Sequence, residues 1–419
     1  MPVEAPRQLL RRLFAAAVAA ADPLQCLPPH LPAVPTGRTV VIGAGKAAAR
    51  MAQAVEAHWR GPLHGIVITR YGHGAPCRAI EVLEAAHPVP DAAGVAATQR
   101  LLGLLQDLSG EDLVLCLLSG GGSALLTQPA AGVTLADKQA VSAALLASGA
   151  PIAQINCVRK HLSAVKGGRL GLAAQPARVV TLLISDVPGD DLASIASGPT
   201  VADPSTREQA AEILRRYHIA APQRVWDWLA QPAAETPKPG EPALARIGHW
   251  LIATPAAAQR AAADCARAAG IEPIMLGDAI EGEARECAAD QARQALQRLA
   301  AARGPCVLLS GGETTVTVRG AGQGGRNSEF ALALALQLDG AAQIWALACD
   351  TDGTDGAQAN AGAVVTPDTL ARGQRLGLDA RARLDDNDAY GFFAALGDLV
   401  ITGPTLTNVN DFRAVYIGR

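Results

Sequence analysis

"VVIGAGKAAARMA", residues 40–52, runs from an unbroken apolar stretch through a glycine turn into a helical pattern. An apolar run without polar alternation marks a strand covered on both faces, as in a parallel sheet. Gly43 and Gly45 let the backbone approach something closely. Lys46 follows at the expected start of a helix, around 46–58, where the dipole already favours anions. A lysine there adds a point charge suited to phosphate. The same letters fit G-x-G-x-x-G/A, with Ala48 in third place, a weak dinucleotide signal when alone. A dinucleotide site wants an acid at the end of the next strand. Here "GIVITR" (65–70) ends in Arg70, which suits only a 2′-phosphate. The Walker loop G-x-x-x-x-G-K-[ST] is missing. Two readings stand: a phosphate cradle with its own cation, or an NADP site.

Outward from this stretch, strand-like runs alternate with helical ones: "DLVLCLLSGGGSALL" (112–126), then "RVVTLLISDVPGDD" (178–191). That rhythm predicts a parallel sheet covered by helices, with ligands at the carboxyl ends of strands. The stretch "LAQPAAETPKPGEPALARIG" (229–248) holds four prolines and is expected to be a linker. A second α/β rhythm follows: "HWLIAT" (249–254), a helix over 255–269, "IEPIML" (271–276) and a long helix around 281–302. Then come "CVLLSGGETTVTV" (306–318), the helix of 328–338, and "QIWALACDTDGTDG" (343–356). Two domains are expected, at 1–235 and 245–419, since 419 residues exceed one hydrophobic core. "LCLLSGGGSALL" and "CVLLSGGETTVTV" echo one another, as a distant repeat or as convergence on one turn.

Composition narrows the classes. A net charge of −3 and 3% aromatic residues argue against a nucleic-acid surface. The eight cysteines form no CxxC pair and no zinc spacing, and Cys116, Cys306 and Cys349 lie in strand-like runs. They read as small buried hydrophobes in a reducing, cytoplasmic setting. "RQLLRRLFAAAVAAADP" at the N-terminus mimics a signal peptide, but its pattern suits an amphipathic helix burying Leu9, Leu10, Leu13 and Phe14. No stretch is long and apolar enough to span a bilayer, so no membrane partner is expected.

The polar glycine-rich blocks carry the chemistry. In "SGGGSALL" (119–126), Gly120, Gly121 and Gly122 expose successive N–H groups, a nest for anions, with Ser119 and Ser123 as hydroxyl donors. "INCVRKHLSAVKGGRL" (155–170) sets Arg159, Ser163 and Lys166 on one predicted helical face, beside Asn156, Lys160 and His161. A cationic face beside an anion nest suits a carboxylate substrate or nucleotide phosphates. Asp186, Asp190 and Asp191 follow an apolar strand, where a carboxylate holds Mg²⁺ or takes a hydroxyl proton, although Asp191 also suits a helix cap. In the second half, Glu313 follows a nest, and Arg326 with Asn327 opens a helix after a glycine-rich loop. Arg326 could stabilise charge on a transferring phosphoryl group. Asp350, Asp352 and Asp355 faintly match a calcium loop but lack its bidentate Glu, so a metal or substrate site at a strand end fits better.

Six blocks, in order and across essentially the whole chain, resemble the glycerate 2-kinase family. They are "VIGAGKAA", "LLSGGGSALL", "INCVRKHLSAVKGGRL", "LISDVPGDDLASIASGPT", "LSGGETTVTVRGAGQGGRNSEFALA" and "ACDTDGTDGAQANAGA". The resemblance implies a Rossmann-like, doubly wound N-terminal α/β domain and a smaller α/β C-terminal domain, called MOFRL, with the active site in the cleft between them. It implies ATP- and Mg²⁺-dependent phosphorylation of D-glycerate to 2-phosphoglycerate. Lys46 and Arg326 match the family's essential lysine and arginine, and Asp190 an acid acting as base or metal contact. Gly43, Gly45 and residues 119–123 would hold nucleotide phosphates, and Asn156, Arg159, Lys160 and Asn327 the substrate. Asp186, Asp191, Glu313, Asp350, Asp352 and Asp355 are the metal candidates. Small-molecule partners are implied, with room for a homo-oligomer. Members are also labelled hydroxypyruvate reductases, and an NADP-linked reductase would need a catalytic histidine, for which His161 beside Arg159 is the candidate pair. A sugar-acid sensor without catalysis would be expected to lack Lys46 or Arg326, and both are present.

Overall fold

The computed structural model describes residues 5–301 and 304–418. The chain forms two units, one spanning Pro23–Ile252, the other joining the described residues through Asp22 to those from Ala253 onward.

In the Pro23–Ile252 unit the strands are β1 (Thr39–Ala44), β2 (His64–Arg70), β3 (Ile80–Ala85), β4 (Leu113–Leu118), β5 (Arg178–Ile184) and β6 (Gly248–Ala253). They lie in the order 3-2-1-4-5-6, the doubly wound order of dinucleotide-binding sheets. The pairings β1–β2, β2–β3, β1–β4 and β4–β5 are all parallel. Every residue of β1 and β4 is buried, as the unalternating apolar pattern requires. Strand order reverses between β1 and β4, so their carboxyl ends open the crevice where such folds bind ligands.

The expected linker is part of this unit. Leu244 and Ile247 are buried in its core, and the Pro237 carbonyl accepts from the Asp203 N–H. The prolines cannot donate to a ladder, but the apolar residues that follow them anchor the segment. "HWLIAT" is likewise an edge strand of the first sheet rather than the opening of a second one. The chain therefore crosses between units at Ile252–Ala253, not at 235–245.

In the other unit, β7 (Glu272–Gly277), β9 (Cys306–Gly312), β11 (Ile344–Asp350), β12 (Gly362–Val365), β13 (Leu399–Val400) and β14 (Asp411–Ile417) form a sheet ordered 13-12-11-14-9-7. Two short strands, β8 (Gly282–Glu283) and β10 (Thr314–Thr315), pair separately. In the six-stranded sheet β14 lies antiparallel between β9 and β11 while β7–β9 is parallel, as is the separate β8–β10 pair. The long helix expected around 281–302 covers Ala284–Ala300, and residue 302 lies outside the described residues.

Helix Pro6–Ala20 buries Leu9, Leu10, Leu13 and Phe14, the stripe its spacing predicts. It belongs to this second unit, so the described residues through Asp22 join a different unit from the one in which the sequence would place them. The Phe14 ring lies 5.9 Å from that of Phe412 on β14. Leu10 is fully buried. Leu10→Ala should therefore cost about 2–5 kcal/mol in urea unfolding, as core leucine truncations do. A cost within 0.5 kcal/mol, as at a surface site, would show that the helix does not hold this unit together.

Candidate active site

The first cluster lies at the switch point. Gly45 adopts a φ of 143°, and any Cβ there would collide with the Ser119 side chain. Gly43 is closed in the same way against the Leu117 carbonyl, so its glycine serves strand packing. The Lys46 N–H donates to the Gly120 carbonyl at 2.8 Å, and Ser119 Oγ accepts from the Ala47 N–H at 3.0 Å. These bonds lock the β1 turn to the glycine-rich turn after β4. The helix that follows begins at Ala48, so Lys46 precedes it rather than sitting in its first turn. Gly121 is left-handed, with a φ of 80°, and a Cβ there would lie 3.3 Å from Lys46 Cγ and 3.1 Å from the His87 ring. Lys46, His87 and the Gly120–Gly122 turn are thus neighbours. His87 went unflagged by sequence, although "AAHPVPD" after β3 occupies an equivalent strand end.

The loop 188–198 leans on that turn. Ser123 Oγ lies 2.7 Å from Ser197 Oγ. Asp190, Ala196 and Ser197 have φ values of 57°, 52° and 63°, a concentration of left-handed non-glycine residues. Such strain persists only where surrounding structure over-determines it, and it gathers at functional sites. One carboxylate oxygen of Asp190 is buried without a hydrogen-bond partner, a state that calls for a ligand. Asp191 instead closes its own turn, accepting from the Ala193 N–H at 3.1 Å and the Ser194 hydroxyl at 2.6 Å. Asp186 stands just past β5, half-buried.

Beside the glycine turn lies a cavity of about 710 Å³, lined by Gly121, Ser123, Lys138, Arg159 and Lys166 among others. The basic block divides here. Its helix is Ile152–His161, ending before Ser163, so the predicted continuous face does not form. Arg159 and Lys166 nevertheless line the one cavity, Lys166 from the loop beyond the helix, with its Nζ donating to the Leu126 carbonyl at 3.0 Å. Lys160 is buried and paired with Asp203 at 3.3 Å, which makes it a structural cation rather than a substrate contact. Asn156 is buried on the same helix and does not line the cavity. His161 is fully buried, its Nδ1 2.8 Å from the Cys157 carbonyl and its Nε2 3.4 Å from Glu235. Burial pushes its pKa down, and its partners already occupy the ring. It is a satisfied core histidine, so the catalytic pair a reductase would need is not formed.

The second cluster lies in the other unit, at the ends of β9, β11 and β14. Arg326 donates from Nε to Asp411 at 2.8 Å, from Nη1 to Glu313 at 2.8 Å and from Nη2 to Asp350 at 3.0 Å. Burial alone would lower its pKa, but Asp411, Asp350 and Glu313 raise it well above the usual value. A guanidinium has five N–H donors, so two remain for an oxyanion. Behind it, Arg413 is fully buried, donates to the other Asp411 oxygen at 2.6 Å and stacks 5.0 Å over Phe330. Asn327 is fully buried and donates to Asp411 at 2.7 Å, which makes it a support rather than a ligand contact. Asp411 escaped the sequence reading, although an acid at the head of "DFRAVYI" was visible.

Asp355 has a different task from the metal role its spacing suggests. One oxygen accepts from the Asn327 N–H at 2.9 Å, the other from the Ser328 N–H at 2.8 Å and its hydroxyl at 2.6 Å. It caps helix Arg326–Leu338 from a distant loop and so aims Arg326. Asp352 closes its own turn through the Thr354 N–H at 2.7 Å. Among the described residues, no group of three or more His, Cys, Asp or Glu is arranged to hold a metal ion.

Residues 9–230 match the family described as "Domain of unknown function (DUF4147)", and residues 306–411 match the MOFRL family. The protein named D-glycerate 2-kinase from Thermotoga maritima is 39% identical over 97% of this chain and 97% of its own. The chain belongs to the glycerate kinase family. A crystal structure of glycerate kinase from Thermotoga maritima superposes with a TM-score of 0.88 at 38% identity, covering 98% of this chain and 99% of that one. An Agrobacterium vitis relative, 54% identical over 98% of this chain and 94% of its own, carries a hydroxypyruvate reductase name marked as provisional. In this member of the glycerate kinase family no described helix is long and apolar enough to cross a membrane.

Asp355→Ala should cost about 1–3 kcal/mol in urea unfolding, the loss expected when buried donors are stranded. A cost near zero would show that the helix start is held without it.

Proposed function

We propose that this protein transfers the γ-phosphoryl group of ATP to the 2-hydroxyl of D-glycerate. The observation that carries the reading is the pair of preset cationic sites: Lys46 at the switch point against an N–H-rich turn, and Arg326 clamped by three carboxylates. Phosphoryl transfer asks a protein mainly for positioning and charge neutralisation. The relatives named glycerate kinase support the choice of reaction and acceptor.

In this reading the turn Gly120–Gly122, with Lys46, receives phosphate oxygens. Gly121, left-handed, leaves room for the Lys46 side chain and the His87 ring beside the turn. Arg326 spends three N–H groups on carboxylates that hold it rigid and offers the other two to the transferring group. Rigid donors need no reorganisation as charge develops. Asp190, with its unpartnered oxygen, accepts the hydroxyl proton or contacts the metal.

Mg²⁺ fits this arrangement in a limited way. It usually takes one or two carboxylates, with phosphate oxygens and waters completing the shell. Asp190, with an oxygen to offer, is the residue that would hold it, and no all-protein cage is built among the described residues. Bound there, the ion would neutralise charge on the β- and γ-phosphates.

The test couples the reaction to enolase alone, without a mutase, so that absorbance rises only if 2-phosphoglycerate forms. Lys46→Ala and Arg326→Lys should each lower kcat about 10²–10³-fold, the usual loss on removing a preset donor, with thermal stability retained in the lysine variant. Asp190→Asn separates its two roles: a base loses kcat at any Mg²⁺ concentration, whereas a metal contact loses activity that added Mg²⁺ restores. NADPH oxidation with hydroxypyruvate in place of phosphoenolpyruvate formation would overturn the kinase reading.

A further inference from the structure

Lys138 is a buried cation that no function has yet claimed. It lies on helix Leu135–Ala147, is 5% exposed, and its Nζ has no hydrogen-bond partner. The adjacent Asp137 is turned away, bonded to Thr134 and paired with Arg224 at 3.2 Å. The Lys138 side chain instead lines the cavity of about 710 Å³ beside the glycine turn. The charged and titratable groups facing it are Arg159 from helix Ile152–His161, Lys166 from the loop after it and His87 from the loop after β3. None of the described residues lining that cavity is acidic.

Three cationic side chains converge on one cavity with no carboxylate to balance them. Burial, then the Arg159 charge, pushes the Lys138 ammonium down to about 7, and burial lowers Lys166 well below its ordinary value. Keeping such a group unpaired costs free energy in the folded state. A role in stability cannot explain it, since an apolar side chain of the same length would fill the space at lower cost. An anion of more than one charge would reverse the penalty. The cavity has the size of sites for drug-sized ligands, well beyond a three-carbon acid. Val89, Ala140, Ala143 and Leu146 give it an apolar stretch of wall, with Gln139 and Ser142 among them. A polyanion joined to a flat, weakly polar body matches both walls.

We propose that Lys138, with Arg159 and Lys166, binds the polyphosphate of the nucleoside triphosphate, while the nucleoside lies on the apolar wall of the same cavity. This rests on the kinase reading and extends it. It assigns Arg159 to the nucleotide rather than to the acid, and it makes nucleotide binding a proton-linked event, because an occupied Lys138 is fully protonated.

The test is calorimetric titration of the full chain with ADP and, separately, with tripolyphosphate, alongside the enolase-coupled assay. In Lys138→Met the Kd for ADP and for tripolyphosphate should rise about tenfold or more, the scale of one charged hydrogen bond. The KM for D-glycerate should stay within about twofold, and the thermal midpoint should hold or rise, because methionine removes a buried unpaired amine. At pH 8, titrations in buffers of different ionisation enthalpy should show proton uptake on ADP binding by the wild type, reduced in the variant. Arg159→Gln, on another element, should weaken ADP in the same direction and serves if Lys138→Met folds poorly. Unchanged ADP affinity in both variants, or a loss confined to D-glycerate, overturns the assignment. A wild type that neither binds ADP nor forms 2-phosphoglycerate overturns the kinase reading instead.

Discussion

The approach of two backbones at the switch point is the constraint on which the first unit depends. Gly43 and Gly45 bring β1 against Leu117 and Ser119 so closely that no side chain fits at either glycine. That contact sets the parallel register of β1 and β4 and carries both strands into turns on the same edge of the sheet. The bonds from the Lys46 and Ala47 N–H groups then fasten the two turns together. The lysine, the glycine turn and the strained loop 188–198 follow from this one close approach. A Cβ at Gly45 would separate the strands and dissolve the site with them.

The second unit reaches a comparable result by electrostatics. Asp411 sits between two arginines, giving one oxygen to Arg326 and the other to Arg413. Arg413 is fully buried and would be costly alone, so the pair is stable only as a set. The carboxylate that aims the helix, Asp355, comes from a loop nearly thirty residues beyond the residues it caps. Rigidity around Arg326 is therefore assembled from β9, β11, β14 and a loop, none of which holds the arginine alone. The same unit takes in the N-terminal helix, whose apolar stripe finds its partners far along the chain.

Much of this was readable in the letters. Unalternating apolar runs specify a buried parallel sheet, and the glycines after β1 and β4 mark where the backbone must turn tightly. The stripe of Leu9, Leu10, Leu13 and Phe14 follows from helical spacing alone. Lys46, the 119–123 turn, Asp190 and Arg326 were all visible because strand ends carry ligands in such folds. Spacing misled where burial decides. Lys160 is one residue from Arg159, yet it turns into the core to meet Asp203. Asp355 resembles a ligand in a D-x-D-x-x-D run but spends both oxygens on a helix start.

Local pattern, then, determined the sheet of the first unit, its glycine turns and most of the polar groups at its edge, since these depend on periodicity and backbone freedom over a few residues. Tertiary structure alone decided which unit the first helix joins, that the proline-rich stretch packs rather than links, and which charges find partners. The physical reason is that a charge is stabilised or stranded by groups distant in sequence. Asp411 is recruited by an arginine 85 residues earlier. Lys138, in an alanine-rich helix, is unremarkable as a letter, and it matters only because folding buries it beside Arg159 and Lys166 in a cavity with no acid among the described residues that line it.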